Sequence, residues 1–254
     1  MQSLIKLFLN IFSRSFLLRI SFFVKPILKI LMYGNKYTDP IDGKKFRAFL
    51  PYGYNKIRNN VLSPSTYSLE RHRLLWLYLK NETSFFKTKL KVLHFAPESA
   101  LMNEFKKLKN LSYYTVDLNS PIADIKADIC DLPFLDNSYD FILCNHVLEH
   151  VIDDDKAMRE LYRVLKKNGL GIFQVPIDYN RDTTFEDFSV TNKKERNKLF
   201  GQYDHVRIYG LDFFDRLQKA GFSVEGCEYT SKLPKEDIIK FCLPKKEIIP
   251  ICRK

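Results

Sequence analysis

Short apolar runs ending in polar residues alternate with helical periods through the middle of the chain. Between Lys91 and His150 the order is KVLHFAPESALMNEF, SYYTVDL, ADICDLPF and SYDFILCNHVLEH. The runs at 91–96, 113–118 and 139–145, with a shorter one near 125–129, read as buried strands, and Ser99–Leu108 reads as the helix after the first. Strands that alternate with helices predict an α/β domain with a parallel sheet, whose ligand lies in a crevice at the strands' carboxyl ends. Glu98, Asp117, Asp128 and Asn145 all fall at such ends.

The pattern continues on both sides. Thr66–Asn81, TYSLERHRLLWLYLKN, reads as a helix with Ser68 as its cap, expected to close one side of the crevice, with His72 a packing residue. Asp153–Lys167, DDDKAMRELYRVLKK, carries acids in its first turn and bases in its last; Asn168 and Gly169 end it before the strand GLGIFQVPI. Residues 178–206 are polar and aperiodic, which predicts a lid or substrate loop. Leu211–Ala220 reads as the last core helix, and FSVEGCEY and EIIPICR as the last strands. Residues 35–65, rich in turn formers, read as a small loop-and-hairpin module, and 66–254 as the main domain.

The first 34 residues differ in kind. They are rich in Phe, Leu and Ile, yet Lys or Arg interrupts them before any uncharged run reaches the roughly 18 residues a spanning helix needs. The segment predicts an imperfect amphipathic helix, kinked at Pro26, that lies peripherally on an anionic membrane surface. The competing readings are a helix packed on the domain's own core and, less favoured, a signal peptide without its small-residue cleavage site. Of the formal charge of +11, six units come from Lys6, Arg14, Arg19, Lys25, Lys29 and Lys36, before the first acid at Asp39. The basic surface is therefore local, and no nucleic acid partner is expected of the main domain. Five cysteines without a C-x-x-C pair fit a cytoplasmic chain, with attachment on the inner face of a membrane. None of the nine glycines falls between Tyr54 and Asn168, which argues against a phosphate loop or a dinucleotide fingerprint in the crevice.

An ionised carboxylate at the end of a second strand, such as Asp117, accepts two hydrogen bonds from neighbouring ribose hydroxyls and so predicts a nucleoside ligand. Asp128 is placed to accept from an adenine amino group, with Ile129 against the ring. With these acids in order, the run ADICDLPFLDNSYDFILCNHVLEHVIDDDKAMRELYRVLKKNGLGIFQVP resembles the type-11 branch of the class I S-adenosylmethionine-dependent methyltransferases. The resemblance extends with gaps from Lys91 to about Val175, and TFEDFSVTNKKERNKLFGQYDHVRIYG and FFDRLQKAGFSVE look like a bacterial subgroup with LHFAPE in its first strand. It implies a doubly wound, seven-stranded, Rossmann-like sheet whose last strand is antiparallel, with S-adenosylmethionine as cofactor. It also implies that Asp117 and the adjoining Leu118 hold the ribose, Asp128 and Ile129 the adenine, and Cys144, Asn145 and His146 the methionine part. Ala96, Pro97 and Glu98 replace the family's glycine-rich first loop, with Glu98 placed for the cofactor's amino group.

Relatives of the subgroup carry paired cysteines upstream, a spacing suited to zinc. Asp39, Asp42, Ser63 and Thr66 stand there instead, poor zinc ligands, so a ribbon-like module without metal is expected. His146 and His150, at i and i+4, would share a face if helical, but H-E-x-x-H is absent and no third ligand is evident, so no metal is expected there either. His146 is one candidate base and His205, oriented by Asp204, the other. Arg181 and Arg196 are candidates to meet an anionic acceptor. These residues predict a methyltransferase for a small-molecule, glycan or lipid-linked acceptor. The competing readings are a nicotinamide-dependent oxidoreductase or epimerase, whose Y-x-x-x-K at Tyr52 to Lys56 precedes the sheet, and a non-catalytic protein that keeps the fold.

Overall fold

The computed structural model describes residues 26–53 and 57–254. The chain divides into two compact units. Residues up to Trp76 together with Leu233–Pro244 form one, and Leu77–Lys232 with Lys245–Lys254 form the other. The smaller unit therefore recruits a segment from the far end of the sequence, which differs from the contiguous module expected over 35–65. Most of the N-terminal segment expected to contact a membrane lies outside the described residues. Its last part is helical over 26–31.

The smaller unit is built on two antiparallel pairs, β1 (Tyr33–Thr38) with β2 (Lys45–Phe46) and β3 (Leu50–Tyr52) with β4 (Arg58–Leu62). Asp39, fully buried, is its polar hub: its carboxylate accepts from the Ile41 N–H at 2.9 Å, the Thr66 hydroxyl at 2.5 Å and the Ser68 hydroxyl at 3.2 Å. The Ser63 hydroxyl accepts from the amides of Ser65 and Thr66. Asp39, Ser63 and Thr66, three of the four residues expected to stand in place of zinc ligands, are thus knotted by hydrogen bonds, which keep buried polar groups satisfied. Arg73, on α1 (Glu70–Glu82), donates to the carbonyls of Val61 and Ser68 and, at 2.7 Å each, to those of Phe241 and Cys242. That clamp is what draws Leu233–Pro244 into the unit. Burial lowers the Arg73 guanidinium to about 10, and four carbonyl acceptors offset the cost of removing it from water.

The larger unit holds β5 (Leu90–Phe95), α2 (Ser99–Phe105), β6 (Leu111–Asp117), β7 (Ile125–Lys126), β8 (Tyr139–Cys144), α3 (Asp154–Val164) and β9 (Leu165–Ile172). There follow β10 (Phe185–Glu186), α4 (Lys193–Phe200), β11 (Arg207–Ile208), α5 (Phe213–Lys219), β12 (Ser223–Cys227) and β13 (Ile249–Arg253). Seven of these strands form one sheet in the order β12-β13-β9-β8-β5-β6-β7. β5 to β9 run parallel to one another, and β13 runs antiparallel to both β9 and β12. This is the doubly wound, mostly parallel Rossmann-like sheet expected from the sequence, with its last strand reversed. Val92, Leu93 and Phe95 of β5 and Phe141, Ile142 and Leu143 of β8 are all buried, as strands covered on both faces require. On α3 the buried Ala157, Met158, Leu161 and Val164 recur at helical spacing and join the core with Phe213 and Leu217 of α5. Asp153 caps α3 by accepting from the Lys156 amide at 2.9 Å.

Several element bounds differ from the sequence reading. α3 ends at Val164, not Lys167, because Leu165 is buried and pairs with Tyr139, while the next pair is Phe141 with Leu170. Lys166 to Gly169 therefore loop out of β9, with Asn168 at a left-handed φ of 62° and its amide donating to the Lys254 carbonyl. A polar, base-rich excursion from a strand imitates a helix end. Residues 178–206 are not one irregular loop: they hold β10, which pairs with β11, and α4, capped by Asn192. The last helix and the FSVEGCEY strand are each shorter than expected, ending at Lys219 and Cys227.

Candidate active site

In the sheet order the chain passes from β5 outward through β6 and β7 and returns on the other side as β8. The carboxyl ends of β5 and β8 thus flank a topological switch point, where open α/β sheets bind their ligands. Phe95 pairs with Val116 on one side and Cys144 on the other, which sets Ala96, Asp117 and Asn145 level as the next residue of each strand. The Ala96 amide donates to the Val116 carbonyl at 2.8 Å, and Ala96 has φ of 43°. A left-handed residue with a Cβ costs about 1 kcal/mol more than glycine. The first loop therefore keeps the backbone curl that a glycine would make easily, and the buried Pro97 follows it.

Asp117 accepts at Oδ1 from the amides of Asn119 and Ser120, both at 2.7 Å. Its Oδ2 takes no partner among the described residues, so the turn fixes the carboxylate and leaves one oxygen for a ligand. Leu118 beside it is 52% exposed. Asp128 is exposed and accepts from the Cys130 amide at 2.8 Å, while Ile129 is buried in the core. Asn145 is buried; its Oδ1 accepts from the Gln174 amide at 3.4 Å and its Nδ2 has no hydrogen-bond partner. An orphaned buried donor costs about 1–3 kcal/mol, a cost a bound polar ligand removes. The Cys144 side chain is fully buried and burial pushes its thiol well up, so this residue offers the crevice its backbone.

Glu98 is not free for a ligand in the simple way the sequence suggests. Its Oε2 lies 2.8 Å from Nε2 of the fully buried His94, whose Nδ1 is 2.7 Å from the Tyr113 hydroxyl. His94 went unread in the sequence, where a histidine inside an apolar run gives no signal. It sits under Glu98 and fixes where that carboxylate stands.

His146 does not begin a helix. It has φ of 54°, its amide donates to the Gln174 carbonyl at 2.7 Å, and a short 3-10 turn, Leu148–His150, follows. The expected shared helical face of His146 and His150 is absent for that reason. Instead His146 Nδ1 lies 3.2 Å from Glu149 Oε1, with Nε2 buried and unpartnered. Glu149 is 1% exposed. Burial pushes its carboxyl up, but the hydrogen bond from His146 and the fields of His146 and His150 outweigh that and hold it below the ordinary value.

The segment after α4 returns to this turn. The Val206 amide donates to the Glu149 carbonyl at 3.0 Å, and His150 Nδ1 lies 3.2 Å from the Asp204 carbonyl and 3.6 Å from its carboxylate. Asp204 thus orients His150 where it was expected to orient His205. The rings of His150 and His205 meet edge to face, centroids 4.8 Å apart. Burial pushes the His205 imidazole pKa down, against the opposing field of Glu149. Side-chain donor atoms of Glu149, His150 and His205 all lie within 4.8 Å of one another, so His205 supplies the third ligand-type group that spacing alone does not show. The buried Arg207 holds the two segments together: it donates to the carbonyls of Leu148 and Val151, to that of Ile152 at 2.9 Å, and to Glu186 at 2.9 Å. Arg181 and Arg196 make local contacts, with Asp178 and the Val190 carbonyl, and are not gathered with these groups.

Residues 91–173, about a third of the chain, match the family model described as a methyltransferase domain. The match spans β5 to β9 of the Rossmann-like sheet, and S-adenosylmethionine is the cofactor that a methyltransferase domain of this kind uses. Among curated proteins, the chain is 31% identical over 121 residues to the ubiquinone/menaquinone biosynthesis C-methyltransferase UbiE of Psychromonas ingrahamii, covering 42% of this chain and 47% of that one. It is 42% identical over 74 residues to an uncharacterized protein of Methanocaldococcus jannaschii, 27% of this chain and 31% of that. It is 29% identical over 143 residues to proteasome activator complex subunit 4A of Danio rerio, 55% of this chain but 7% of that. The chain spans less than half the length of these relatives. A solved S-adenosylmethionine-dependent methyltransferase of Mesorhizobium loti aligns with a TM-score of 0.49 and 15% identity, over 71% of this chain and 98% of that one. The polar groups at the sheet edge fit this cofactor: the open Oδ2 of Asp117 suits a ribose hydroxyl as acceptor, and the orphaned amide of Asn145 suits an acceptor beside the switch point.

Proposed function

We propose that the chain transfers a methyl group from S-adenosylmethionine to a small-molecule, glycan or lipid-linked acceptor, within the subgroup of the type-11 branch that carries LHFAPE in its first strand. The observation that carries this reading is the level alignment of Ala96, Asp117 and Asn145 at the switch point. One oxygen of Asp117 and the amide of Asn145 are left unpaired there. When bound, the cofactor supplies an electrophilic methyl group on a sulfonium. Asp117 holds the ribose with Leu118 beside it, Asp128 and Ile129 hold the adenine, and the backbone at Ala96, Pro97 and Cys144 with the Asn145 amide holds the methionine part. Glu98, fixed by His94, faces the amino group.

For the acceptor's proton the leading base is His146. Its Nδ1 donates to Glu149, which fixes the tautomer and leaves the Nε2 lone pair to accept a proton. His205 and Asp204 lie beside His150 and act there as positioning groups. Calorimetric titration tests the reading: S-adenosylmethionine is expected to bind with 1:1 stoichiometry and nicotinamide dinucleotides not at all. Binding of the dinucleotide in place of S-adenosylmethionine would transfer the site to the oxidoreductases.

The membrane contact is the second part of the proposal. Ile27, Ile30 and Leu31, at 58, 78 and 60% exposure, share one face of the helical stretch over 26–31, and Tyr33 beyond them is also exposed. An apolar face continuous with a basic segment suits an anionic lipid surface. No helix among the described residues is long and apolar enough to cross a membrane. Removal of residues 1–31 spares β1 and is expected to abolish co-sedimentation with phosphatidylglycerol vesicles while leaving cofactor binding intact. Undiminished co-sedimentation would place the contact elsewhere.

A further inference from the structure

We propose that Glu149, His150 and His205 bind one divalent transition-metal ion of the zinc class. Their donor atoms already lie within 4.8 Å of one another. Tetrahedral coordination at about 2.1 Å brings such atoms to roughly 3.4 Å, a closure within the reach of side-chain rotation. The independent sign is Glu149 Oε2, which is buried and has no hydrogen-bond partner among the described residues, although Oε1 is engaged by His146. An unsatisfied carboxylate oxygen in a buried site is costly, and a cation is the group that satisfies it.

The His150 imidazole is held as a ligand is held. His150 presents Nδ1 to the Asp204 carbonyl at 3.2 Å, which directs the proton there and leaves Nε2 with its lone pair. The His205 ring meets the His150 ring edge to face, with centroids 4.8 Å apart. A ring nitrogen bonded to a carbonyl is the usual support of a metal-bound histidine. Arg207 and the Val206 amide fix the His205 segment against the Glu149 turn, so the three donors are assembled before any ion arrives. Two imidazoles and one carboxylate suit zinc and its neighbours; magnesium and calcium prefer all-oxygen sets. Three protein ligands leave one position open for a water or an acceptor oxygen, which such an ion makes more acidic. That last consequence rests on the methyltransferase reading; the site itself does not, because metal and cofactor binding are measured separately.

The test is calorimetric titration of the metal-stripped full chain with zinc, and with magnesium for comparison, together with X-ray absorption at the zinc edge. One zinc per chain is expected, with a dissociation constant of about 10 micromolar or tighter, nitrogen and oxygen ligands, and no comparable magnesium binding. His205→Ala and His150→Gln are each expected to weaken zinc at least about 100-fold. Cys130→Ser is expected to change nothing. His205 is only partly buried, so its variant tests binding without endangering the fold, and S-adenosylmethionine affinity of each variant confirms that the sheet edge is intact. Absence of saturable 1:1 zinc binding, sulfur in the coordination shell, or wild-type zinc affinity in both histidine variants would overturn the proposal.

Discussion

Asp117→Ala is expected to weaken S-adenosylmethionine binding about 100-fold, or about 2.7 kcal/mol. A carboxylate accepting from two ribose hydroxyls contributes roughly 1.5–3 kcal/mol per charge-assisted bond net of water. The same side chain also accepts from the Asn119 and Ser120 amides, so alanine removes a turn as well as a ligand contact. Asp117→Asn separates the two effects, since its amide oxygen still caps the turn while the negative charge is gone. It is expected to lose about tenfold in affinity with unchanged thermal stability. Calorimetry on both variants reads this directly, and near-wild-type binding by both would remove Asp117 from the ribose.

Asp117 was legible because a strand end is a local feature. Leu111, Tyr113, Tyr114 and Val116 mark β6 as a strand, and the acid follows. The same holds for Asn145 after β8 and for the order of the sheet, whose parallel strands must be joined by crossovers and so leave helical periods between them. What was not legible depends on contacts between distant residues. His205 lies 55 positions beyond His150, and nothing in QYDHVR says which turn it will meet. The β9 excursion misled for a related reason. Leu165 belongs to a strand because Tyr139 pairs with it, a partner that helical periodicity cannot reveal. The left-handed turn at His146 was equally hidden, since a non-glycine residue gives no notice of positive φ. Asp39 shows a third kind of failure. Its neighbours Pro40 and Asp42 mark a turn and nothing more, whereas its burial follows from Thr66 and Ser68, which reach it from 27 and 29 residues away.

Arg207→Met is expected to be the most destabilising single change near the site, by about 3–5 kcal/mol. The guanidinium is 1% exposed and satisfies the carbonyls of Leu148, Val151 and Ile152 as well as the Glu186 carboxylate. Methionine fills much of the same volume, so the loss isolates the hydrogen bonds from the packing. Three carbonyls of the turn after β8 and the charge of Glu186 are left without this donor, and each unsatisfied buried group costs about 1–3 kcal/mol. For a chain of this size the expected fall in Tm is about 10 °C, and Arg207→Lys is expected to recover only part of it, since one ammonium cannot span acceptors that a planar fork reaches together. A fall below about 2 °C in Arg207→Met would show that the turn is held by other contacts. Hydrogen exchange locates the effect. Amides at 148–152 and 204–208 are expected to lose protection together, while those of β5 and β6 keep theirs. Cofactor affinity should therefore survive at temperatures where the folded variant persists, and affinity for zinc should not. The carboxyl edge of β5 and β6 belongs to the sheet itself, but the Glu149, His150 and His205 group depends on contacts between two segments, of which Arg207 makes the most.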